Sequence, residues 1–151
     1  MSTEQKYGLE SYANLAAAST SFGGRDGASL DPENAQVLII PVPYDATTTY
    51  MPGTRQGPGA ILRASQQLEL FDEETGQEVF RVGIATLEEM EVDASNPSAM
   101  VDKVRSLGEK TLDIGLFPLM LGGEHLLSLG MIQAMAGRVD DLSVLQLDAH
   151  A

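Results

Sequence analysis

Apolar runs typical of buried strands alternate along this chain with segments that carry apolar residues at helical spacing. Residues 37–42 (Val-Leu-Ile-Ile-Pro-Val) predict a strand buried on both faces, because no polar residue alternates with the apolar ones. Further strands are predicted at residues 79–84, 117–121 and 142–147, and helices at residues 60–70, 97–114 and 124–136. This alternation favours parallel strands joined by right-handed crossovers, with helices covering both faces of one sheet.

The second predicted helix is the best bounded of the three. Asn96 followed by Pro97 is a start signal, and Gly115 is placed to end the helix. Between them, apolar and small residues recur at steps of three or four and trace a single face: Met100, Val104, Leu107, Thr111 and Ile114. For the first helix, Pro58 suits the first turn.

The length of 151 residues fits one domain. Residues 1–35 hold short apolar pieces separated by Gly, Ser, Thr and Asp-Pro signals, which predicts a loop-rich N-terminal arm. Residues 36–151 are then expected to form the N-terminal part of a single domain, because the sequence stops directly after its last predicted strand. Such a part should be less stable than the whole domain and inactive alone.

Charge and composition exclude several classes of function. The chain has 22 acidic and 9 basic residues, a formal net charge of −13, which disfavours nucleic acid and anionic membranes as partners. The acidic surface could serve solubility alone or could also attract a cationic substrate. No apolar run approaches the ~20 residues that span a bilayer, and no secretory signal is evident. With no cysteine for disulfides or thiolate ligands, a cytoplasmic location is expected.

Two histidines and an aspartate follow predicted strands. His125 ends a Gly-Gly-Glu-His sequence after the strand at residues 117–121, and Asp148 and His150 follow the strand at residues 142–147. Parallel α/β sheets bind ligands at the carboxyl ends of their strands, and residues two apart in an extended segment point the same way. The three side chains are therefore candidate metal ligands. The alternatives are a capping or core histidine and a chance Asp-x-His pairing.

Imidazole and carboxylate without thiolate suit Mn, Fe, Co, Ni or Zn, and a carboxylate-rich site favours the harder ions. If Asp148 is shared by two ions, these could generate a hydroxide that attacks a planar carbon. Three ligands are too few for two ions, so further carboxylates are expected from sequence beyond Ala151. A phosphate site at Gly122 and Gly123 is disfavoured, because Glu124 would repel an anion and no nucleotide-binding motif is present.

From about Val37 onward the chain resembles the ureohydrolases, the arginase and agmatinase superfamily. Residues 41–45 and 53–65 are similar to that family's first strand, glycine-rich active-site loop and helix. Residues 121–125 (Leu-Gly-Gly-Glu-His) resemble its GG[DE]H motif, and residues 147–151 (Leu-Asp-Ala-His-Ala) resemble the start of its DAHxD motif. The order and spacing of these motifs make the resemblance highly specific.

The resemblance implies a three-layer α/β/α fold with a mainly parallel sheet and a centre of two manganese ions. It further implies that His125 binds one ion, that His150 binds the other, and that Asp148 bridges both. The implied reaction is hydrolysis of a guanidino compound to urea and an amine, through attack by a hydroxide held between the ions. No residue is assigned as catalytic or cofactor-binding outside this metal set.

Glu124 in place of Asp, together with the amino-acid sequence of the glycine-rich loop, resembles agmatinases more than arginases. Leu126 stands where the family often has Ser. Agmatine, hydrolysed to putrescine and urea, is therefore the expected substrate. Arginine, guanidinobutyrate and formiminoglutamate remain alternatives. The resemblance also implies a homo-oligomer, a trimer or hexamer, in which the N-terminal arm makes subunit contacts. The alternative from another class is a non-catalytic fragment or interaction module of the same fold.

Overall fold

In a computed structural model, residues 21–24 and 35–150 are described. In chain order the regular elements are the strand β1 (Val37–Val42), the helix α1 (Gly57–Ser65), the strand β2 (Ile84–Thr86), the helix α2 (Pro97–Asp113), the strand β3 (Phe117–Gly122) and the helix α3 (Leu127–Ala136). Residues 1–20 and 25–34, which hold most of the predicted arm, and Ala151 lie outside the described part. The arm therefore stays a prediction.

The three strands form one parallel sheet in the order β2-β1-β3. β1 lies in the centre, and its pairing with β3 runs in register from Val37 opposite Phe117 to Val42 opposite Gly122. β2 pairs with the first half of β1, from Val37 opposite Ile84. The strands predicted at residues 37–42 and 117–121 are thus confirmed, as is their parallel arrangement.

One face of the sheet carries α2 and α3. Alternate residues of a strand point to the same face, so the side chains of Leu38, Ile40 and Val42 project together. They share one buried cluster with Met100, Val104 and Leu107 of α2 and with Leu127 of α3. The predicted apolar face of the second helix is therefore the face that packs on the sheet.

The opposite face carries α1. Ile39 is buried outside that cluster, and its partner in the register, Thr86, points the same way. The short turn Phe22–Gly24 joins this face to the end of α1, because the backbone N–H of Phe22 donates to Thr86 Oγ1 at 3.0 Å and that of Gly23 to Ser65 Oγ at 2.9 Å. With helices on both faces, the sheet forms the expected three-layer α/β/α arrangement.

The predicted ends of α2 are confirmed by their hydrogen bonds. Asn96 caps the start, since its Oδ1 accepts from the backbone N–H of Ala99 at 3.0 Å. Gly115 has a φ of +79° and follows directly after the last turn, where its N–H donates to the carbonyl of Leu112 at 3.0 Å. A left-handed glycine in this place stops a helix at low energetic cost.

The prediction of a strand over residues 79–84 is wrong in its first part. Val79–Val82 form a 3-10 turn whose side chains are largely exposed, and the strand begins only at Ile84. Gly83 between them has a φ of +80°, and its carbonyl accepts from the backbone N–H groups of Gln36 and Val37. The glycine therefore redirects the chain into the sheet, which periodicity alone does not reveal.

Two predicted helices have different bounds in the structure. The helix predicted at residues 60–70 begins at Gly57 and ends at Ser65, after which tighter turns follow, with the N–H of Leu68 donating to the carbonyl of Ser65 at 3.2 Å. The Ser65 hydroxyl donates to the carbonyl of Leu62 and accepts from Gly23, which fixes this end. The helix predicted at residues 124–136 begins at Leu127.

The strand predicted at residues 142–147 is not formed. Within residues 35–150 this segment joins no sheet, and its apolar side chains are exposed, with Leu145 at 86% and Leu147 at 90% of full accessibility. A two-sided buried strand needs neighbouring strands for its backbone and layers on both faces. β1 already has a neighbour at each edge, and the segment does not add to β2 or β3.

In the described part, no helix has both the length and the apolar character needed to cross a membrane.

The contact between α2 and α3 depends on Gly130. A Cβ at this position would lie 2.5 Å from the carbonyl oxygen of Val101 and 2.9 Å from Cβ of Val104. We therefore expect Gly130→Ala to lower the free energy of unfolding by about 1–3 kcal/mol through overpacking, measured by chemical denaturation. Gly137→Ala is the matched control, because its nearest atoms lie at 3.7 and 3.8 Å. Equal stability of the two variants would contradict this packing.

Candidate metal centre

The turn after β3 is pressed against the chain that follows β1. A Cβ on Gly123 would lie only 2.1 Å from the carbonyl oxygen of Tyr44 and 3.1 Å from Cα of Arg55. Such distances leave no room for any side chain, so glycine is required here by close approach of two backbones. The carboxyl ends of β1 and β3 thereby share one edge of the molecule.

Glu124, next along this turn, binds the same neighbouring segment. The backbone N–H of Thr47 donates to Glu124 Oε2 at 3.0 Å, and the hydroxyl of Thr47 donates to Oε1. Glu124 and His125 are consequently held in a turn outside the helix, where the carbonyl of His125 accepts from the N–H of Ser128 at 3.0 Å. This tertiary contact explains why α3 begins at Leu127 and not at Glu124.

The three predicted ligands meet at this edge. The structure brings His125, Asp148 and His150, here called the His–Asp cluster, close enough for one ligand atom of each to lie within 4.8 Å of the others. Nδ1 of His125 lies 2.9 Å from Oδ2 of Asp148, and Nδ1 of His150 lies 2.8 Å from Oδ1. The two imidazole rings meet edge to face, with centroids 5.1 Å apart.

Asp148 is the centre of this cluster and the most sheltered member. Its side chain is 16% exposed, against 63% for His125 and 75% for His150. The backbone N–H of His150 donates to Oδ1 at 3.0 Å, and the Gln146 amide donates to Oδ2 at 3.0 Å. These bonds, led by the His150 backbone N–H and followed by those to the His150, His125 and Gln146 side chains, hold the pKa of Asp148 well below its usual range.

The donor set fits divalent transition metals. Two imidazole nitrogens and a carboxylate, all within reach of one another, suit ions such as manganese or zinc. Each Asp148 oxygen faces a different imidazole, which is the disposition expected of a carboxylate shared by two cations. The two imidazoles and the Asp148 carboxylate are the groups that would hold a bound ion. The role of the three residues as metal ligands stays a prediction.

The His–Asp cluster opens into a cleft of about 720 Å³. The opposite wall comes from the segment after β1, which contributes Thr47, Tyr50 and Thr54. Sequence reasoning did not single out these residues or Gln146. For Gln146 a signal existed, since it lies two positions before Asp148 and so shares its side of an extended segment. The residues near Thr47 in the sequence contain no pattern that predicts its place in the cleft wall.

Asp45 organises the glycine-rich part of that wall. It is 7% exposed, and its Oδ2 accepts from the backbone N–H of Gly53 at 2.7 Å and of Arg55 at 3.3 Å. The guanidinium of Arg55 lies 3.5 Å from Oδ1. A buried carboxylate that follows a strand and binds backbone N–H groups ten or fewer residues later closes a loop in the manner of a large Asx turn. The position of Asp45 shortly after β1 was the signal in the sequence that could have predicted this role.

Comparison with known proteins identifies the family of this chain. The sequence profile described as the Arginase family matches residues 35–151. The chain belongs to the Arginase family. Among curated relatives, an N(1)-aminopropylagmatine ureohydrolase of Synechocystis sp. is 37% identical over 123 residues, which cover 78% of this chain and 40% of the relative. An agmatinase of Bacillus anthracis is 36% identical over 118 residues, which cover 78% of this chain and 41% of the relative.

Solved structures agree with the family assignment. The agmatine ureohydrolase of Thermoplasma volcanium superposes with a TM-score of 0.67 at 26% identity, covering 83% of this chain and 41% of that one. A putative agmatinase from Clostridium difficile gives a TM-score of 0.74 at 22% identity, covering 80% of this chain and 44% of that one, which is evidence for the fold alone. The chain thus spans about 40% of the length of these Arginase-family relatives.

Gly123 gives a direct test of how the turn is held. We expect Gly123→Ala to lower the free energy of unfolding by about 1–3 kcal/mol, because the turn must move away from the Tyr44 carbonyl. The same displacement would weaken binding of a metal ion at the His–Asp cluster. Chemical denaturation and metal titration measure the two effects. Gly122→Ala is the control, since its added Cβ would meet atoms at 3.4 and 3.6 Å. A Gly123→Ala protein as stable as Gly122→Ala would refute the close approach.

Proposed function

We propose that this chain is part of a manganese-dependent amidinohydrolase that cleaves a guanidino compound into urea and an amine. The observation that carries the proposal is the His–Asp cluster, a carboxylate bonded through each oxygen to a different imidazole, at the mouth of a cleft. Membership of the Arginase family and relatives named as agmatinases and ureohydrolases support the same reaction class. Two manganese ions per complete site are proposed.

Each residue of the cluster has a distinct part in this proposal. His125 would hold one ion and His150 the other, while Asp148 would contribute an oxygen to each. When bound, such a metal pair supplies Lewis acidity and a water of lowered pKa as nucleophile. Asp148 is ionised at neutral pH, and the hydrogen bonds to its carboxylate lower its pKa further, so it is available to bind cations. Gln146 would orient Asp148 by donating to Oδ2, the same oxygen that His125 faces.

Agmatine is the proposed substrate, with putrescine and urea as products. The relatives include several agmatinases and N(1)-aminopropylagmatine ureohydrolases, whose named substrates share the cationic agmatine portion. The net charge of −13 favours approach of such a cation. The chain spans about 40% of the length of these relatives, so agmatine is proposed as the substrate of the whole protein.

Assembly and location are further parts of the proposal. A homo-oligomer, trimeric or hexameric, with contacts made by residues 1–35, is supported by the sequence resemblance described above. A cytoplasmic location is proposed from the lack of cysteine for disulfides in the sequence. Size-exclusion chromatography coupled to light scattering measures the first of these directly.

Removal of single ligands tests the metal assignment. In the longest form of the protein that its gene encodes, we expect His125→Ala and His150→Ala each to lose about one manganese per chain and to lower turnover by at least 100-fold, as removal of a metal ligand or its support commonly does. Asp148→Asn should be more severe than either, because a neutral amide weakens the hold on both ions. Elemental analysis after dialysis and urea release measure these effects.

Asp141→Asn is the matched control for this series. It removes one carboxylate from an exposed position in the same segment, outside the cluster. Its manganese content and turnover should equal those of the unaltered protein. If His125→Ala or His150→Ala kept the metal content and activity of Asp141→Asn, the ligand assignment would be wrong.

Substrate identity needs a comparison of guanidino compounds. We expect urea release from agmatine with a kcat/KM at least 10-fold above that from arginine, because the arginine carboxylate is repelled by the acidic surface and adds a charge that agmatine lacks. Guanidinobutyrate and formiminoglutamate belong in the same assay, each at matched concentration. A preference for any of these carboxylate-bearing compounds would remove agmatine as the proposed substrate.

A further inference from the structure

The wall of the cleft opposite the His–Asp cluster is a loop, residues 46–52, fixed at each end by a carboxylate. Asp45 binds the backbone of Gly53 and Arg55 at the far end, and Glu124 binds Thr47 at the near end. Between these ties the chain projects into solvent, with Tyr50 83% exposed. The position of this wall relative to the cluster therefore depends on the two carboxylates.

Of the two, Glu124 alone belongs to the turn that carries a predicted metal ligand. Its two carboxylate oxygens both go to Thr47, one to the backbone N–H at 3.0 Å and the other to the hydroxyl. Thr47 lies 77 positions away in the sequence. A single residue thus joins the loop to the turn by two charge-assisted hydrogen bonds, the stronger class of such bonds.

Glu124 stands next to His125, yet it is not a member of the His–Asp cluster in the described part of the chain. Its carboxylate is committed to Thr47, while the close approach of Gly123 to the Tyr44 carbonyl fixes the turn on its other side. A displacement of the loop would reach the His125 backbone through one peptide unit. The same displacement would move Tyr50 with respect to anything held in the cleft.

We infer that Glu124 is a positioning residue, which sets the distance between the cleft wall at residues 46–52 and the metal centre by holding Thr47. The inference rests on the proposed function for its effect on turnover, but not for its effect on the loop. Since the wall would contact substrate before and during reaction alike, its loss should raise KM more than it lowers kcat. Loss of the two bonds should raise KM by roughly 10-fold.

The test compares Glu124→Ala with Glu73→Ala in the full-length protein loaded with manganese. Glu73 is an exposed acid outside the cleft, so its removal changes the net charge equally. Glu124→Ala should raise KM for agmatine roughly 10-fold with kcat changed less than about 3-fold and manganese content unchanged. Glu124→Gln retains an acceptor for Thr47 and should recover part of the effect. Glu73→Ala should match the unaltered protein.

A second measurement does not require activity. Hydrogen exchange at the backbone amide of Thr47 should be at least 10-fold faster in Glu124→Ala than in the unaltered protein or in Glu73→Ala, because Glu124 Oε2 accepts that hydrogen. A double-mutant cycle with Thr47→Val completes the design. If the two side chains act as a pair, the double variant should be no worse than Glu124→Ala.

Unaltered Thr47 exchange in Glu124→Ala, or in Glu124→Leu should the alanine variant fail to fold, would overturn the inference, because neither side chain can accept the Thr47 hydrogen. A fall in manganese content with KM unchanged would also overturn it, because Glu124 would then act on the metal and not on the loop. The proposed function fails separately, if the unaltered protein releases no urea from any guanidino compound. In that case the exchange measurement alone decides whether Glu124 positions the loop.

Discussion

The backbone contact between Gly123 and Tyr44 is the constraint on which the candidate site depends. β1 and β3 pair in register as far as Val42 and Gly122, so the residues that follow leave the sheet side by side. With no side chain on Gly123, the two exits approach until the added atom of an alanine would lie 2.1 Å from a carbonyl oxygen. The cleft residues of the loop after β1 and of the turn after β3 follow these two exits, and Asp148 contacts the turn through His125.

Local signals in the sequence were sufficient for much of the fold. β1 is central because its residues are apolar on both faces, and α2 has its cap at Asn96 and its stop at Gly115, where the residue types require them. The His–Asp cluster followed from a rule of parallel sheets, that side chains after neighbouring strands converge. In each case the deciding information lies within a few residues of the feature.

The predictions were wrong where the structure of a segment depends on a partner that is distant in the sequence. The start of α3 depends on Thr47, which is 77 positions from the glutamate it binds. At residues 79–84 and 142–147, apolar content indicated strands, but an apolar run does not state whether a neighbouring strand is available to it. The cleft wall could not be found for the same reason, because Thr47 and Tyr50 acquire their place only through the Asp45 and Glu124 carboxylates.

The apolar side chains of residues 142–147 are exposed, and the β3 strand leaves Phe117 63% exposed and Leu119 39% exposed. Within the described residues β3 has a strand on one side only. An open strand edge and an exposed apolar run each favour pairing between chains, the first step of aggregation. Residues 35–150 by themselves should therefore aggregate more readily than a domain whose strand edges and apolar runs are covered.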